Sequence, residues 1–122
     1  MNLRLELFVA SVRKSADFYC RFLGFQISGH SSDGYTKLIN GDAVIGINSV
    51  EALGQDHPLY AHQNERLGRG VEIVLSVDDV DFAYEVARKE QCDVSDLASR
   101  PWGLRDFRVT DPDGYYIRVT SR

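Results

Sequence analysis

The chain has 122 residues and a net charge of −4, with 14 Lys and Arg against 18 Asp and Glu, and 43% of its residues are hydrophobic. That length fits one compact domain with a real core, and the composition excludes a disordered chain. The acidic balance and the lack of any Lys/Arg run argue against nucleic acid, and no segment approaches the roughly 20 apolar residues of a membrane span.

No long apolar run stands at the N-terminus, so a soluble, cytoplasmic protein without a signal peptide is expected. Cys20 and Cys92 belong to no CxxC or Cys/His cluster. Cys20, among Phe18, Tyr19 and Phe22, reads as a reduced and largely buried thiol.

Leu3, Leu5, Leu7 and Val9 alternate with Arg4, Glu6 and Phe8, the pattern of a strand with one apolar face. Ser11 is placed to cap a helix over Arg13 to Phe22, in which Ala16, Tyr19, Cys20 and Leu23 recur at helical spacing, and Gly24 ends it. Three short strands follow at Phe25 to Ser28, Tyr35 to Ile39 and Ala43 to Asn48. The turn-prone stretches Gly29 to Gly34 and Asn40-Gly41-Asp42 separate them.

Ser49 to Arg69 has no clear period and holds Gly54, Asp56, Pro58, Gly68 and two of the three histidines. It reads as a linker with a short helix near Tyr60 to Arg66. Val71, Ile73, Leu75 and Val77 then alternate with Glu72, Val74 and Ser76, and Asp78 or Asp79 caps a helix over Val80 to Gln91. Asp93 to Arg100 holds one weak strand.

The chain ends in a hairpin. Pro112 and Gly114 suit the turn of Asp111-Pro112-Asp113-Gly114, while Phe107/Val109 and Ile117/Val119 give each arm a buried face. Arg108, Thr110, Tyr116 and Arg118 occupy the other face, turned to water or to a pocket.

The order β-α-β-β-β thus occurs twice. Laying Val9 on Val77 brings Val12 onto Val80 and Arg4 onto Glu72, and Ile45/Ile47 correspond to Ile117/Val119. The expected organisation is one domain over residues 1–122, with a first module at about 1–50, a linker at about 51–69 and a second module at about 70–122.

The run from Val9 to Tyr19, Leu23-Gly24-Phe25, Leu75 to Val80, Trp102-Gly103 and Asp111-Pro112-Asp113-Gly114-Tyr115 together resemble the glyoxalase/bleomycin-resistance/extradiol-dioxygenase (vicinal oxygen chelate) superfamily. The resemblance implies an α+β fold of two tandem βαβββ modules forming an open, barrel-like cleft, usually in a homodimer. It does not settle the activity, because this scaffold hosts isomerases, dioxygenases, thiol transferases and metal-free binding proteins.

Metal-dependent members place His or carboxylate ligands early in each module's first strand and in each module's last strand. The matching positions here are Arg4, Gly46, Glu72 and Arg118, and a shift of two residues would put Glu6 first. Guanidinium offers no lone pair, so only Glu72, or Glu6 with Glu72, is ligand-capable there. No metal and no cofactor is expected.

Arg4, Glu72 and Arg118 then either form a structural salt-bridge network or leave positive charge for an anionic ligand. Glu6, Asp106 and Glu72 would equally suit a cation, so the sign of the ligand stays open. Trp102, between Pro101 and Gly103, is a lid for the core or a stacking wall, and Phe8 and Tyr116 add aromatic surface. Arg108 lies on the same hairpin face. His30, His57 and His62 read as solvated surface residues.

The leading expectation is a metal-free protein that binds a small organic ligand, sequestering an antibiotic or metabolite through Arg4, Glu6, Phe8, Glu72, Trp102, Arg108, Tyr116 and Arg118. No catalytic residue is identified. The alternative is a glyoxalase- or dioxygenase-type enzyme with a displaced metal site built from Glu6, Glu72 and a linker histidine.

Overall fold

The computed structural model describes residues 1–90 and 93–122. The chain divides into two compact units, residues 1–20 with 24–65 and residues 21–23 with 66–122. Each carries one mixed four-stranded sheet.

The first module runs β1 (Leu5–Val9), α1 (Val12–Leu23), β2 (Gln26–Ser31), β3 (Tyr35–Asn40) and β4 (Ala43–Ser49). Its sheet has the order β1-β4-β3-β2, with β1 parallel to β4. The Ser11 side chain accepts a hydrogen bond from the Lys14 amide at 3.3 Å, satisfying one orphan donor of the first turn. Gly24 adopts φ 72 and ends the helix in a left-handed cap.

Leu7, Val9, Leu38, Ile45 and Ile47 are buried on one sheet face, where α1 contributes Val12, Ala16 and Tyr19. Tyr19 meets Phe18 and Phe25 edge-on at 5.3 and 5.9 Å. Burial of each such side chain is worth about 1.5–3 kcal/mol, which fixes which sheet face turns inward.

Two expectations shift here. β2 continues past Ser28 to Ser31, because a register shift between Ile27 and Ser31 absorbs Gly29 and the Ser31 and Thr36 hydroxyls pair at 2.7 Å. Cys20 is half-buried rather than largely buried, since Val12, Ser15, Ala16, Phe18 and Tyr19 are the buried residues of α1.

No helix forms at Tyr60 to Arg66. Asn64 takes φ 67, and the His62 amide donates to the Glu65 carboxylate at 3.0 Å, a local closure that competes with helical bonding. The only helical turn in the stretch between the modules is a 3₁₀ turn at Val50–Ala52.

The second module runs β5 (Glu72–Ser76), α2 (Val80–Lys89), β6 (Ala98–Ser99), β7 (Arg105–Thr110) and β8 (Tyr116–Thr120), in the sheet order β5-β8-β7-β6. Asp79 caps α2 by accepting from the Phe82 amide at 2.9 Å. The expectation that α2 reaches Gln91, and any expectation for Cys92, fall outside the described residues. Phe107, Val109, Ile117 and Val119 are all buried, and Tyr84 of α2 packs edge-on against Phe107 at 5.3 Å. Asp111 closes the β7–β8 turn, its Oδ1 accepting from the amides of Asp113 and Tyr115 at 2.9 Å each.

Strand register repeats between the modules. Leu5 opposes Ile45 in the first and Ile73 opposes Ile117 in the second, both in parallel pairs. Lys37 opposes Gly46, as Arg108 opposes Arg118, in the antiparallel pairs. The duplication read from Val9 and Val77 is therefore carried through three strands of each sheet, while the six-residue β2 answers to the two-residue β6.

Candidate functional site

In each module the face opposite the helix holds the charged side chains. Strand alternation puts most of them there, opposite the buried Leu7, Val9, Ile73, Phe107, Val109, Ile117 and Val119, whereas Arg105 stands on the helix side and pairs with Asp81 of α2.

On the first module's sheet this face carries Arg4, Glu6, Phe8, Lys37, Gly46 and Asn48. Glu6 and Gly46 are register partners on adjacent strands. A side chain at position 46 would overlap the Glu6 carboxylate, so glycine leaves the room in which that carboxylate lies. Arg4 Nε stands 2.9 Å from Glu6 Oε1, and Asn48 Nδ2 donates to Glu6 Oε2 at 2.9 Å. Phe8 is half-buried beside them, opposite Asn48 in the ladder.

The second module's face is built round a buried acid. Asp106 has no exposed surface, yet it stands on the face away from the core. Its Oδ1 accepts from Arg100 Nε at 2.7 Å and from Arg108, while Oδ2 accepts no hydrogen bond from the described residues and has the Arg118 guanidinium 4.0 Å away. Glu72 Oε1 lies 3.2 Å from Arg118 Nε, and Glu72 Oε2 lies 3.9 Å from Arg108 Nε. Three guanidiniums thus share two carboxylates, a local excess of positive charge.

Tyr116 extends the same face, between Glu72 on β5 and Thr110 on β7. Trp102 sits at the tip of the β6–β7 loop and is 56% exposed, so it is no lid over the core. The loop is fixed at its base: the Arg100 amide donates to the Leu104 carbonyl at 2.8 Å, and the Arg100 side chain is tied to Asp106. An indole held open on a braced loop is a surface against which a flat group can stack.

Of the residues singled out from the sequence, Arg4, Glu6 and Phe8 share one sheet face. Glu72, Arg108, Tyr116 and Arg118 share the other module's face. Asp106, expected only as one of three carboxylates for a cation, instead pairs with guanidiniums, and Arg100 escaped the reading because its role rests on a loop with no periodic signal. His57 Nδ1 accepts from the Leu59 amide at 3.0 Å and His62 stacks edge-on against Tyr60 at 5.2 Å, both within the loop itself.

The metal implied by the resemblance can be tested on these residues. In the second module a divalent cation beside Glu72 would stand against the Arg108 and Arg118 guanidiniums, and the orphaned Asp106 Oδ2 faces a guanidinium too. In the first module the two positions hold a guanidinium and a glycine whose space the Arg4-paired Glu6 carboxylate occupies. The residues do not fit the metal. Among the described residues no group of three or more His, Cys, Asp and Glu side chains is placed to hold one.

Burial, and secondly the nearby Asp17 carboxylate, push the Cys20 thiol above its ordinary pKa. Cys20 is therefore held as the neutral thiol, not as a nucleophile at neutral pH. It lines a groove of about 360 Å³ with Arg13, Asp17, Ile27, Ser32 and Asp33.

Paired βαβββ modules with charged sheet faces define a class of protein. The family model of the Glyoxalase/Bleomycin resistance protein/Dioxygenase superfamily matches residues 3–119, and the chain belongs to that superfamily. No curated protein matches the sequence.

Among solved structures it is similar to TioX from Micromonospora sp. ML1, at 19% identity over 100% of this chain and 96% of that one, with a TM-score of 0.74. It is also similar to a glyoxalase/bleomycin resistance protein/dioxygenase from Nocardioides, at 21% identity over 99% and 82% with a TM-score of 0.78. Lactoylglutathione lyase from Agrobacterium tumefaciens is a third, at 15% identity over 99% and 92% with a TM-score of 0.74. At such identities these likenesses establish the fold and not the activity. No helix among the described residues is long and apolar enough to cross a membrane.

Proposed function

We propose that the protein binds a small organic anion without a metal, in the manner of a sequestering protein for an antibiotic or a metabolite. The observation that carries this reading is the imbalance on the second module's sheet, where Arg100, Arg108 and Arg118 outnumber Asp106 and Glu72. An anionic group completes that set; a cation opposes it.

Arg118 and Arg108 take the anionic group in this reading, Glu72 orients them, and Tyr116 and Trp102 supply aromatic surface. Arg4, Glu6 and Phe8 give the first module's sheet a charged and aromatic face of its own. Superfamily membership supports a small ligand and a homodimer, which the protein forms in the cytoplasm in this proposal.

The chain has a single tryptophan, so its fluorescence reports on Trp102 alone. Chelator-treated protein titrated with naphthoate should show saturable quenching, and Arg118→Gln should weaken binding about tenfold, the worth of one charge-assisted hydrogen bond. Tighter binding of naphthylmethylammonium than of naphthoate would contradict the assigned sign.

A further inference from the structure

A second basic feature lies outside the Arg108–Arg118 set. Arg66, Gly68, Arg69, Gly70, Val71 and Tyr116 line a groove of about 310 Å³ on the second module. The segment is held by close backbone approach to the β7–β8 turn. The Leu67 amide donates to the Asp113 carbonyl at 2.9 Å. A Cβ at Gly114 would come within 2.6 Å of Arg66 Cγ and 3.3 Å of the Leu67 nitrogen, and one at Gly68 within 2.6 Å of Tyr115 Cδ1. Gly114 and Gly68 also take φ 101 and φ 75, so both positions need glycine twice over.

The charges of this groove are unbalanced. Every other arginine from residue 66 onward, Arg88, Arg100, Arg105, Arg108, Arg118 and Arg122, has a carboxylate within 4.0 Å. Among the described residues Arg66 and Arg69 have none. In a chain that is acidic overall, two exposed arginines with no carboxylate within ion-pair distance, on a segment with a braced backbone and lining one groove with a tyrosine, favour an anion.

We propose that Arg66, Arg69 and the Tyr116 hydroxyl bind a tetrahedral dianion, the phosphoryl group of a phosphate ester. Two fixed positive charges match a dianion better than a monoanion, and guanidinium forks and a phenol O–H supply donors only where phosphate oxygens accept. The groove is larger than inorganic phosphate, leaving room for the organic part of an ester.

The test is an NMR titration of the ¹⁵N-labelled protein with inorganic phosphate at constant ionic strength, with chloride as the matched control. The amides of Gly68, Gly70 and Val71 should shift saturably with phosphate and not with chloride. The double variant Arg66→Gln/Arg69→Gln, which keeps most of the Arg66 stem against Gly114, should weaken binding at least about tenfold. Arg88→Gln, an exposed arginine elsewhere, should leave the affinity unchanged. Equal shifts with chloride, or phosphate binding that survives the double variant, would overturn the proposal. Binding that survives the double variant but is lost in Arg118→Gln would move the anion to the sheet face, leaving the naphthoate reading standing and this one refuted.

Discussion

Arg108 and Arg118 are direct cross-strand partners on β7 and β8, two like charges side by side on one sheet face. Such a pair is unfavourable by itself, since like charges opposite one another in a ladder repel. Asp106 below and Glu72 beside them make it tenable, the first fully buried and the second partly exposed.

That difference in burial predicts unequal costs. Asp106→Asn takes from the partly exposed Arg100 and Arg108 the fully buried carboxylate they share, and should cost about 3 kcal/mol of stability. Glu72→Gln breaks a more exposed pair and should cost under about 1 kcal/mol. Urea denaturation with an unchanged slope for both variants checks the order; equal costs would contradict a buried hub at Asp106.

Gly46 makes a different kind of prediction. Because an added Cβ meets only the flexible end of Glu6, Gly46→Ala should displace that carboxylate rather than disrupt the sheet. Stability should change by no more than about 1 kcal/mol, as alanine also restricts the unfolded chain. The Asn48 side-chain amide resonances should shift on losing their bond to Glu6, and their constancy would show that the carboxylate does not depend on the glycine.

The Cys20 thiol, raised by burial and by Asp17, gives a pH prediction of defined sign. Between the ordinary thiol pKa and the raised one, the unfolded chain has released the proton that the folded chain retains, so stability falls as pH rises through that window. Alkylation followed peptide by peptide, which separates Cys20 from Cys92, should show Cys20 reacting half-maximally at a higher pH in the folded than in the unfolded protein. A midpoint at or below the unfolded value would contradict the cause assigned.

Much of this was legible in the residues. The alternation of Phe107, Val109, Ile117 and Val119 fixed the hairpin and the face on which Arg108 and Arg118 stand, and the match of Val9 to Val77 announced the second module. The helix expected at Tyr60 to Arg66 failed because Asn64 and Glu65 close local turns that no hydrophobic period opposes. Asp106 was visible as a polar residue on the right face but not as a buried hub, since one of its partners, Arg100, comes from a loop set by tertiary contact. The split of the charges into an Arg4–Glu6 pair and a Glu72–Arg118 pair was equally hidden, because side-chain reach along a sheet is not written in its period.

We propose that guanidinium charge, at Arg4 and Arg118, stands at positions where the superfamily resemblance implies metal ligands. Calorimetric titration of chelator-treated protein with Zn²⁺, Ni²⁺, Mn²⁺ and Fe²⁺ addresses it most directly. No saturable heat is expected with any of the four; stoichiometric, tight binding of one of them, abolished in Glu72→Gln, would overturn the metal-free reading.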